Sequence, residues 1–333
     1  MTGPGGARAV SQTQFRSDAV GQLLELWQEV MPRDAPNIER FRDLALLNPQ
    51  FRPEGLTMLW RGGQLIGFSY AVAATTPGAA RPQGWIAGLG VAPGERRAGC
   101  GTRLLESSLR FLTDAGCSVA RLGGNGERYL LPGADPVAYP EFHRLIQAAG
   151  FRATGSTEAM ACDLRTIPPD SVQVAGSSAD GPYVYRQPDD GDIPELLRVA
   201  AAFSPGWSGL VRSHLARTSS APRLWIACAP DRIVGFAGFD LFPGCTGRFG
   251  PTGVIPEVRG RGVGGRLLRL TLASMAARGL QSAWFLWGPE GVSGRRMYES
   301  AGFRVNRRFD LFARDLTPPH AARSAQEKES HDN

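Results

Sequence analysis

The sequence predicts an α/β (α+β) protein of two tandem domains, each with a mixed central β-sheet flanked by helices. Three observations support this fold class. The chain has 333 residues, which is more than one hydrophobic core usually organises. The order of strands and helices expected in the first half recurs in the second half. A glycine- and arginine-rich turn between a strand and a helix also occurs once in each half, in matching surroundings.

The composition is that of a globular protein, with 42% hydrophobic and 20% charged residues. No apolar run reaches the roughly 20 residues that a membrane span needs, and the N-terminus lacks the apolar segment of a signal peptide. The five cysteines lie far apart, with no Cys-x-x-Cys pair. Neither a disulfide framework nor a bound metal is therefore expected, and a cytoplasmic location without a membrane partner fits best.

The first half begins with a flexible or weakly extended segment up to about residue 14. From residue 18 to about 30, apolar residues recur at helical spacing, and a second helix is expected at about 37–47. Two apolar runs around Gly62-Gly63 predict a β-hairpin. The remaining elements expected in this half are a strand at 84–91, a helix at 101–115, a strand at 118–122, a Gly/Pro-rich loop at 123–136, a helix at 139–149 and a strand at 158–164.

The second half repeats this order. A short strand at 183–185 and a helix at 192–202 precede a hairpin around Pro230-Asp231. The elements expected after the hairpin are a strand at 249–255, a helix at 264–277, a strand at 283–287, a helix that ends at 301 and a strand that runs to about 312.

Matching residues support the repeat. The motifs that correspond are Leu23-Leu24 with Leu196-Leu197, Ile66-Gly67-Phe68 with Val234-Gly235-Phe236, and Ala149-Gly150-Phe151 with Ala301-Gly302-Phe303. We therefore expect a tandem duplication with domains at 10–165 and 182–315. A segment rich in Pro, Ser, Gly and Asp is expected to link them at 166–181. The mostly polar residues of 316–333 predict a disordered tail.

The two glycine turns are the strongest functional signal. Each follows an apolar strand and opens an amphipathic helix, so several backbone N–H groups converge at the positive end of a helix dipole, where phosphate binds. Glycines allow close approach of the backbone, and the arginines and the net charge of +6 favour an anionic partner. The candidate phosphate-binding residues are Arg96, Arg97, Ala98, Gly99, Cys100, Gly101 and Thr102 after Val91, and Arg259, Gly260, Arg261, Gly262, Val263, Gly264 and Gly265 after Val254 and Ile255.

The pattern Arg-x-x-Gly-x-Gly after an apolar strand, followed later by a Gly-Phe pair, resembles the GNAT acetyltransferases. The resemblance covers both halves, from about residue 10 to 315. It implies that the amides of each turn hold the pyrophosphate of acetyl-coenzyme A, and that the preceding strand splays from its neighbour to admit the pantetheine arm. It also implies N-acetyl transfer to a primary amine by direct attack through a tetrahedral intermediate, with acetyl-coenzyme A as co-substrate and no metal.

Tyr298 lies four residues before Gly302, at a position that in this family often holds the general acid for the departing thiolate. A neutral phenol suits that task. The alternative is an aromatic residue that packs in the core or on the cofactor. The first half has Ile146 at this position, so the role does not carry over, although Tyr129 and Tyr139 lie close enough in sequence to substitute. The second half is therefore expected to be the catalytic one.

The general base is harder to assign, because neither strand that leads into a glycine turn carries an acid. Asp240, at the end of the second hairpin, is the first candidate, and a solvated turn aspartate is the alternative. The asparagine that is frequent in this family seven residues before the acid is replaced by Tyr139 in the first half and by Gly291 in the second.

The acceptor is expected to be a small-molecule amine, or the N-terminus or a lysine of a peptide. Tandem chains of this family include mycothiol synthases, and only the tandem layout supports that assignment here. Two other classes stay open: a non-catalytic acyl-coenzyme A sensor, and a nucleic-acid-binding protein that uses the Arg-Gly turns. Nucleic acid is disfavoured because the chain has no long basic run and no basic stripe interleaved with aromatic residues. A monomer that forms an internal pseudo-dimer, or a homodimer, is expected.

Overall fold

A computed structural model describes residues 9–74, 81–123, 129–167, 182–217, 223–288 and 292–316. They form two compact units. The described residues of the first unit lie within 9–123, 129–156 and 309–316, and those of the second lie within 157–308. Each unit combines strands with flanking helices, which confirms the predicted α/β (α+β) fold class.

Among the described residues, the sheet of the first unit includes six neighbouring strands. In spatial order they are β1 (Val10–Gln14), β2 (Leu56–Arg61), β3 (Gln64–Ala74), β4 (Gln83–Val91), β5 (Val119–Leu122) and the last residues of β12 (Arg304–Asp315). Strands β4 and β5 are parallel, and the other pairs are antiparallel. The hairpin predicted around Gly62-Gly63 is the β2–β3 pair.

The α-helices of the first unit, over the residues described, are α1 (Val20–Val30), α2 (Ile38–Phe41), α3 (Cys100–Asp114) and α4 (Pro140–Ala148). The apolar spacing that predicted α1 places Leu23, Trp27 and Val30 on one buried face. Asn37 caps α2, because its side chain accepts a hydrogen bond from the backbone N–H of Arg40. The helix predicted at 37–47 is thus present, and it continues beyond α2 as a wider turn over Arg42–Leu46.

The second unit has the same order of elements. Its strands are β6 (Arg152–Asp163, in part), β7 (Val184–Arg186), β8 (Leu224–Cys228), β9 (Ile233–Phe239), β10 (Phe249–Val254) and β11 (Ser282–Phe285). Strands β7 to β10 form an antiparallel sheet, and β11 pairs with β6. The helices are α5 (Ile193–Phe203), α6 (Pro205–Arg217), α7 (Val263–Ala277) and α8 (Val292–Ser300). Over the residues described, no helix is both long and apolar enough to cross a membrane.

No bounds were predicted for helix α6 from the sequence. The sequence Ser204-Pro205-Gly206, where the helix begins, is typical of a turn, but proline is also favoured in the first turn of a helix. Its apolar residues also form a poor stripe, since the fully buried positions of this helix include the polar His214 beside Val211. Burial lowers the pKa of His214 to about 4, and its Nε2 accepts a hydrogen bond from the backbone N–H of Arg223.

The final strand of each half contributes to the unit of the other half. Residues 312–315 of β12 pair with β5 in the first unit, and residues 160–163 of β6 pair with β11 in the second. The domain limits of 10–165 and 182–315 were inferred from the repeat, which carries no information on strand exchange, and they stay a prediction. Almost all of the expected linker at 166–181 and tail at 316–333 lies outside the described residues.

Gly90→Ala is expected to lower the free energy of unfolding by about 1–3 kcal/mol, because α1 packs directly on β4. A methyl group on Gly90 would lie 2.5 Å from Val30 Cγ2 and 2.9 Å from the ring of Phe68. Denaturant unfolding measures the loss. Gly94→Ala is the control, because a methyl group there meets nothing within 4 Å. Equal stability of the two variants would contradict this packing.

Candidate active site

Strands β4 and β5 separate along their length in the first unit. They pair only where Gln83–Trp85 (β4) face Val119–Arg121 (β5), although β4 continues to Val91. The splayed part of β4, residues 86–91, lines a cavity of about 890 Å³. Arg96, Gly99 and Gly101 of the first glycine turn lie at the same cavity.

The second unit repeats this separation. A parallel bridge joins Arg248 to Trp284, at the positions that correspond in the repeat to Trp85 and Arg121. The residues of β10 that follow the bridge pair with β9. The irregularities of strand pairing also lie at matching positions of the repeat. One lies at residue 87 of β4, in its pairing with β3, and the other lies at residues 250–251 of β10, in its pairing with β9. In both units, the described pairing between the two parallel strands therefore ends at the same place in the repeat.

The two glycine turns have nearly the same backbone conformation. Gly99 (φ 79°, ψ −7°) and Gly262 (φ 81°, ψ −7°) are the N-cap residues of α3 and α7, both in the left-handed region. Two residues earlier, Arg97 (φ 60°) corresponds to Gly260 (φ 77°). The first turn therefore has an arginine in a left-handed conformation, which is strained for a residue with a side chain. The second turn has glycine at this position, which adopts the conformation without strain.

Each turn presents uncapped N–H groups to open space. Among the described residues, no side chain caps the N-terminus of α3 or α7, so the first N–H groups of these 15-residue helices are available to a ligand. A methyl group on Gly99 or Gly262 would meet nothing within 4 Å. This geometry fits a phosphate that lies against the turn.

The first arginine of each turn is fixed to the preceding strand. Arg96 Nε donates to the carbonyl oxygen of Val91 at 3.0 Å, and Arg259 Nε donates to the carbonyl oxygen of Val254 at 3.0 Å. These arginines therefore tie the turn to the strand end in addition to supplying charge. In the second turn, Arg261 Nη1 donates to the hydroxyl of Tyr183 at 3.4 Å.

The remaining residues predicted for the turns differ in how deeply they are buried. Cys100 and Val263 begin the helices and are buried, so they contribute backbone N–H groups only. Gly101 lies against Leu145 of α4, and Gly264 lies against Met297 of α8. A methyl group added to these glycines would lie 3.3 Å from Leu145 and 3.1 Å from Met297. The residues that stay on the surface or half-buried at the turns include Ala98, Thr102 and Gly265.

An acidic residue distinguishes the first turn. Glu141, in the first turn of α4, lies 3.4 Å from Arg96 Nη1 and 3.6 Å from Arg97 Nη2. The corresponding position of the second half is Ser293. Glu141 is therefore expected to compete with any phosphate that binds the arginines of the first turn.

Glu141→Gln is expected to tighten coenzyme A binding at the first turn by about two- to fivefold at low salt, the range of an exposed ion pair. The gain should shrink at high salt because the charges are screened. Calorimetric titration at two salt concentrations measures it. Glu25→Gln, on the exposed face of α1, is the control. Equal affinity of the Glu141 variant and wild type at low salt would contradict the competition.

Tyr298 is buried where β10 and β11 come together in the second unit. Its ring packs against Phe249, the first residue of β10 (centroids 5.9 Å apart), and against Phe285, the last residue of β11 (4.8 Å). The residues that correspond to this pair, Ile86 and Leu122, line the cavity of the first unit. Burial raises the pKa of Tyr298, so its phenol stays protonated.

Asp240 holds the loop that leads into β10. One carboxylate oxygen accepts a hydrogen bond from the N–H of Gly247 at 2.6 Å, and the other lies 3.2 Å from Arg223 Nη1. Its backbone has φ 50°, and its N–H donates to the carbonyl of Arg248. Burial raises the pKa of Asp240, and Arg223 opposes that shift. The solvated alternative is wrong, because the side chain is only 10% exposed.

Tyr139 was a candidate from the sequence, but its hydrogen-bond partner Asp34 was not. Tyr139 lines the cavity of the first unit, and its hydroxyl donates a hydrogen bond to Asp34 Oδ2. Asp34 belongs to the loop after α1, where neighbouring residues give no sign of a functional role. Only the fold brings it to Tyr139, so the sequence offered no signal for the pair. Tyr129, the other candidate, is not among the residues that line this cavity.

Both halves match models of one protein family. Residues 20–125 match the model described as "Acetyltransferase (GNAT) family", and residues 220–305 match the one described as "Acetyltransferase (GNAT) domain". A mycothiol acetyltransferase of Thermobispora bispora is 28% identical over 260 residues, which cover 74% of this chain and 79% of the relative.

Solved structures share the fold over most of the chain. A tandem GNAT protein from the clavulanic acid biosynthesis pathway has a TM-score of 0.67 at 15% identity, covering 93% of this chain and 99% of that one. A GCN5-related N-acetyltransferase from Sphaerobacter thermophilus has a TM-score of 0.66 at 17% identity, with coverages of 93% and 96%. A glucosamine N-acetyltransferase region of a fungal multi-domain β-N-acetylglucosaminidase reaches 0.73 at 17% identity, where this chain spans 38% of the longer protein.

Proposed function

Because the chain belongs to the GNAT N-acetyltransferases, with one domain of that family in each half, we propose that it acetylates a primary amine by direct attack on acetyl-coenzyme A. The observation that carries the proposal is the pair of glycine turns with nearly the same φ and ψ at Gly99 and Gly262, each after a strand that pairs with its parallel neighbour over only a few residues. Acetyl-coenzyme A supplies the activated acetyl group when bound.

The residues of both turns suit the pyrophosphate of this co-substrate. The N–H groups at the start of α3 and α7 point to open space above Gly99 and Gly262, and Arg96 and Arg259 add charge beside them. The cavity of about 890 Å³ beside the first turn is large enough for a pantetheine arm. These features support two binding sites, one in each unit.

The second unit is our proposal for the main catalytic half. Tyr298 packs against the first residue of β10 and the last residue of β11, next to the bridge that joins these two strands. Its buried phenol keeps its proton and suits a general acid for the departing thiolate. Asp240 stays our proposal for the base, because burial raises its pKa toward the pH at which a base works.

The acceptor is proposed to be a primary amine of a small molecule or of a peptide. The test is incubation of the purified protein with acetyl-coenzyme A and a panel of amines, read by mass spectrometry and by release of coenzyme A. The panel contains glucosamine, kanamycin, lysine amide, a glycyl peptide and the acceptor of mycothiol acetyltransferase. We expect at least one acetylated product. Tight binding of coenzyme A with no product from any amine would favour the acyl-coenzyme A sensor instead.

A further inference from the structure

The cavity of the first unit has two ends that differ in chemistry. One end is formed by the glycine turn with its arginines, which follows the last residue of β4. The other end lies where β4 and β5 come together, because their pairing stops at Trp85 and Arg121. The next residues of the two strands, Ile86 and Leu122, are apolar and line the cavity. A ligand that is held by phosphates at the turn and extends along β4 therefore reaches an apolar end.

Other elements add aliphatic side chains to the cavity wall. Met31 follows α1, and Leu131 and Ala134 belong to the connection between β5 and α4. Ala134 lies in the same buried cluster as Ile86 and Leu122, and Leu131 packs against the cluster that contains Met31. The connection runs from 123 to 139 in the first half and from 286 to 291 in the second. Part of the apolar wall therefore comes from a segment that the second half does not repeat.

Aromatic rings occupy the matching place in the second unit. Phe249 and Phe285 correspond in the repeat to Ile86 and Leu122. The ring centroids of Phe249 and Phe285 are 6.4 Å apart, and those of Tyr298 lie 5.9 Å from Phe249 and 4.8 Å from Phe285. Three large rings in mutual contact thus take the place where the first unit has two aliphatic side chains. A long apolar ligand at this place in the second unit has to displace a ring.

We propose that the first unit binds an acyl-coenzyme A with an aliphatic chain longer than acetyl, such as butanoyl or hexanoyl, and that this chain lies against Ile86 and Leu122. The inference rests on the proposed function, because it assigns the acyl donor of one of its two sites. The amine nitrogen bonds to the acyl carbon, the carbon–sulfur bond breaks, and the sulfur takes a proton that the nitrogen gives up. The products are a longer amide and coenzyme A.

The continuity of the cavity favours an acyl chain as the occupant of the apolar end. Residues 86–91 of β4 all line the cavity and lead directly to the glycine turn. A chain attached to the thioester therefore stays in the same cavity as the phosphates. The volume of about 890 Å³ also lies near the top of the roughly 300–1,000 Å³ that ligand pockets span. This volume suits a ligand larger than coenzyme A with an acetyl group.

The test is calorimetric titration of the full chain with Gly262→Val, in which the first turn is expected to be the binding site. The ligands are coenzyme A and its acetyl, butanoyl and hexanoyl thioesters. We expect the affinity to rise about two- to fourfold for each added methylene, since about 0.8 kcal/mol for a fully buried methylene corresponds to fourfold. In the Gly99→Val protein, which reports on the second turn, the longer thioesters should bind no more tightly than acetyl-coenzyme A.

Substitution at the apolar end locates the chain. Ile86→Phe gives the first unit the residue of the second and should remove the gain per methylene. Leu122→Phe, which introduces the counterpart of Phe285, is the second variant and should act in the same way. Val137→Phe is the matched control, because Val137 is 86% exposed and is not among the residues that line the cavity. It should leave the series of affinities unchanged.

Equal affinity of the Gly262→Val protein for all four ligands would overturn the inference, even if both phenylalanine variants failed to fold, and would leave the proposed function standing. The same gain in the Gly99→Val protein, or a gain that survives Ile86→Phe, would also overturn it. Hexylamine is titrated in the presence of coenzyme A. Its binding, without a gain from longer thioesters, would assign the apolar end to an aliphatic acceptor instead. Wild type that binds none of the four ligands would defeat the proposed function.

Discussion

Gly262→Val is expected to weaken coenzyme A binding at the second turn by at least about 100-fold. The valine side chain would extend into the open space beside Gly262, where the phosphates would lie in the proposed complex. Hydrogen bonds to a charged group contribute roughly 1.5–3 kcal/mol each, so the loss of two already exceeds a 100-fold change in affinity. Gly99→Val is expected to act in the same way at the first turn.

The chain supplies a matched control at the other end of each helix. Gly279 follows α7 with φ 80°, and Gly116 follows α3 with φ 79°; a methyl group on either meets nothing within 4 Å. Gly279→Val and Gly116→Val therefore carry the same backbone strain of about 1–2 kcal/mol but leave the phosphate site open. If the control variants lost affinity as strongly as the turn variants, strain rather than phosphate contact would be the cause.

Tyr298→Phe is expected to lower kcat of the second centre by about 100-fold, with little change in KM for acetyl-coenzyme A. The substitution keeps the ring that packs on Phe249, Phe285 and Phe303, so the fold should be retained. It removes the hydroxyl whose pKa burial raises. The rate is measured in the Gly99→Val protein, so that turnover at the first turn does not contribute.

The control is Tyr185→Phe, which changes another tyrosine of the same buried cluster. Because burial raises the pKa of Tyr298 above its ordinary value of 10, the acid form persists to high pH, and this residue should cause no alkaline fall in rate below pH 10. Unchanged kcat in Tyr298→Phe would show that Tyr298 is only a core aromatic.

The fold class and the glycine turns could be predicted because they depend on local patterns. A strand, a turn that requires a left-handed residue at Gly99 or Gly262, and an amphipathic helix each leave a signature within a few residues. The repeat strengthened these signals by showing them twice. The conformation of Arg97 was not predicted, because arginine, unlike the Gly260 that it matches in the repeat, rarely adopts a positive φ.

The parts that the sequence did not reveal depend on distant contacts. Strand exchange places residues 312–315 beside β5, although the repeat assigns them to the second half. The hydrogen bond between Tyr139 and Asp34 joins residues that are 105 positions apart in the sequence. The roles of Arg96 and Arg259 as ties to the strand end likewise appear only once the turn has folded back onto β4 or β10.

The central claim is that both glycine turns are working sites for coenzyme A. Calorimetric titration of coenzyme A into wild type, Gly99→Val and Gly262→Val tests it most directly, with Gly116→Val and Gly279→Val as controls. We expect two equivalents for wild type and for both controls, and one equivalent for each turn variant. Wild type that binds no coenzyme A, or turn variants that still bind two equivalents with unchanged affinity, would contradict the claim.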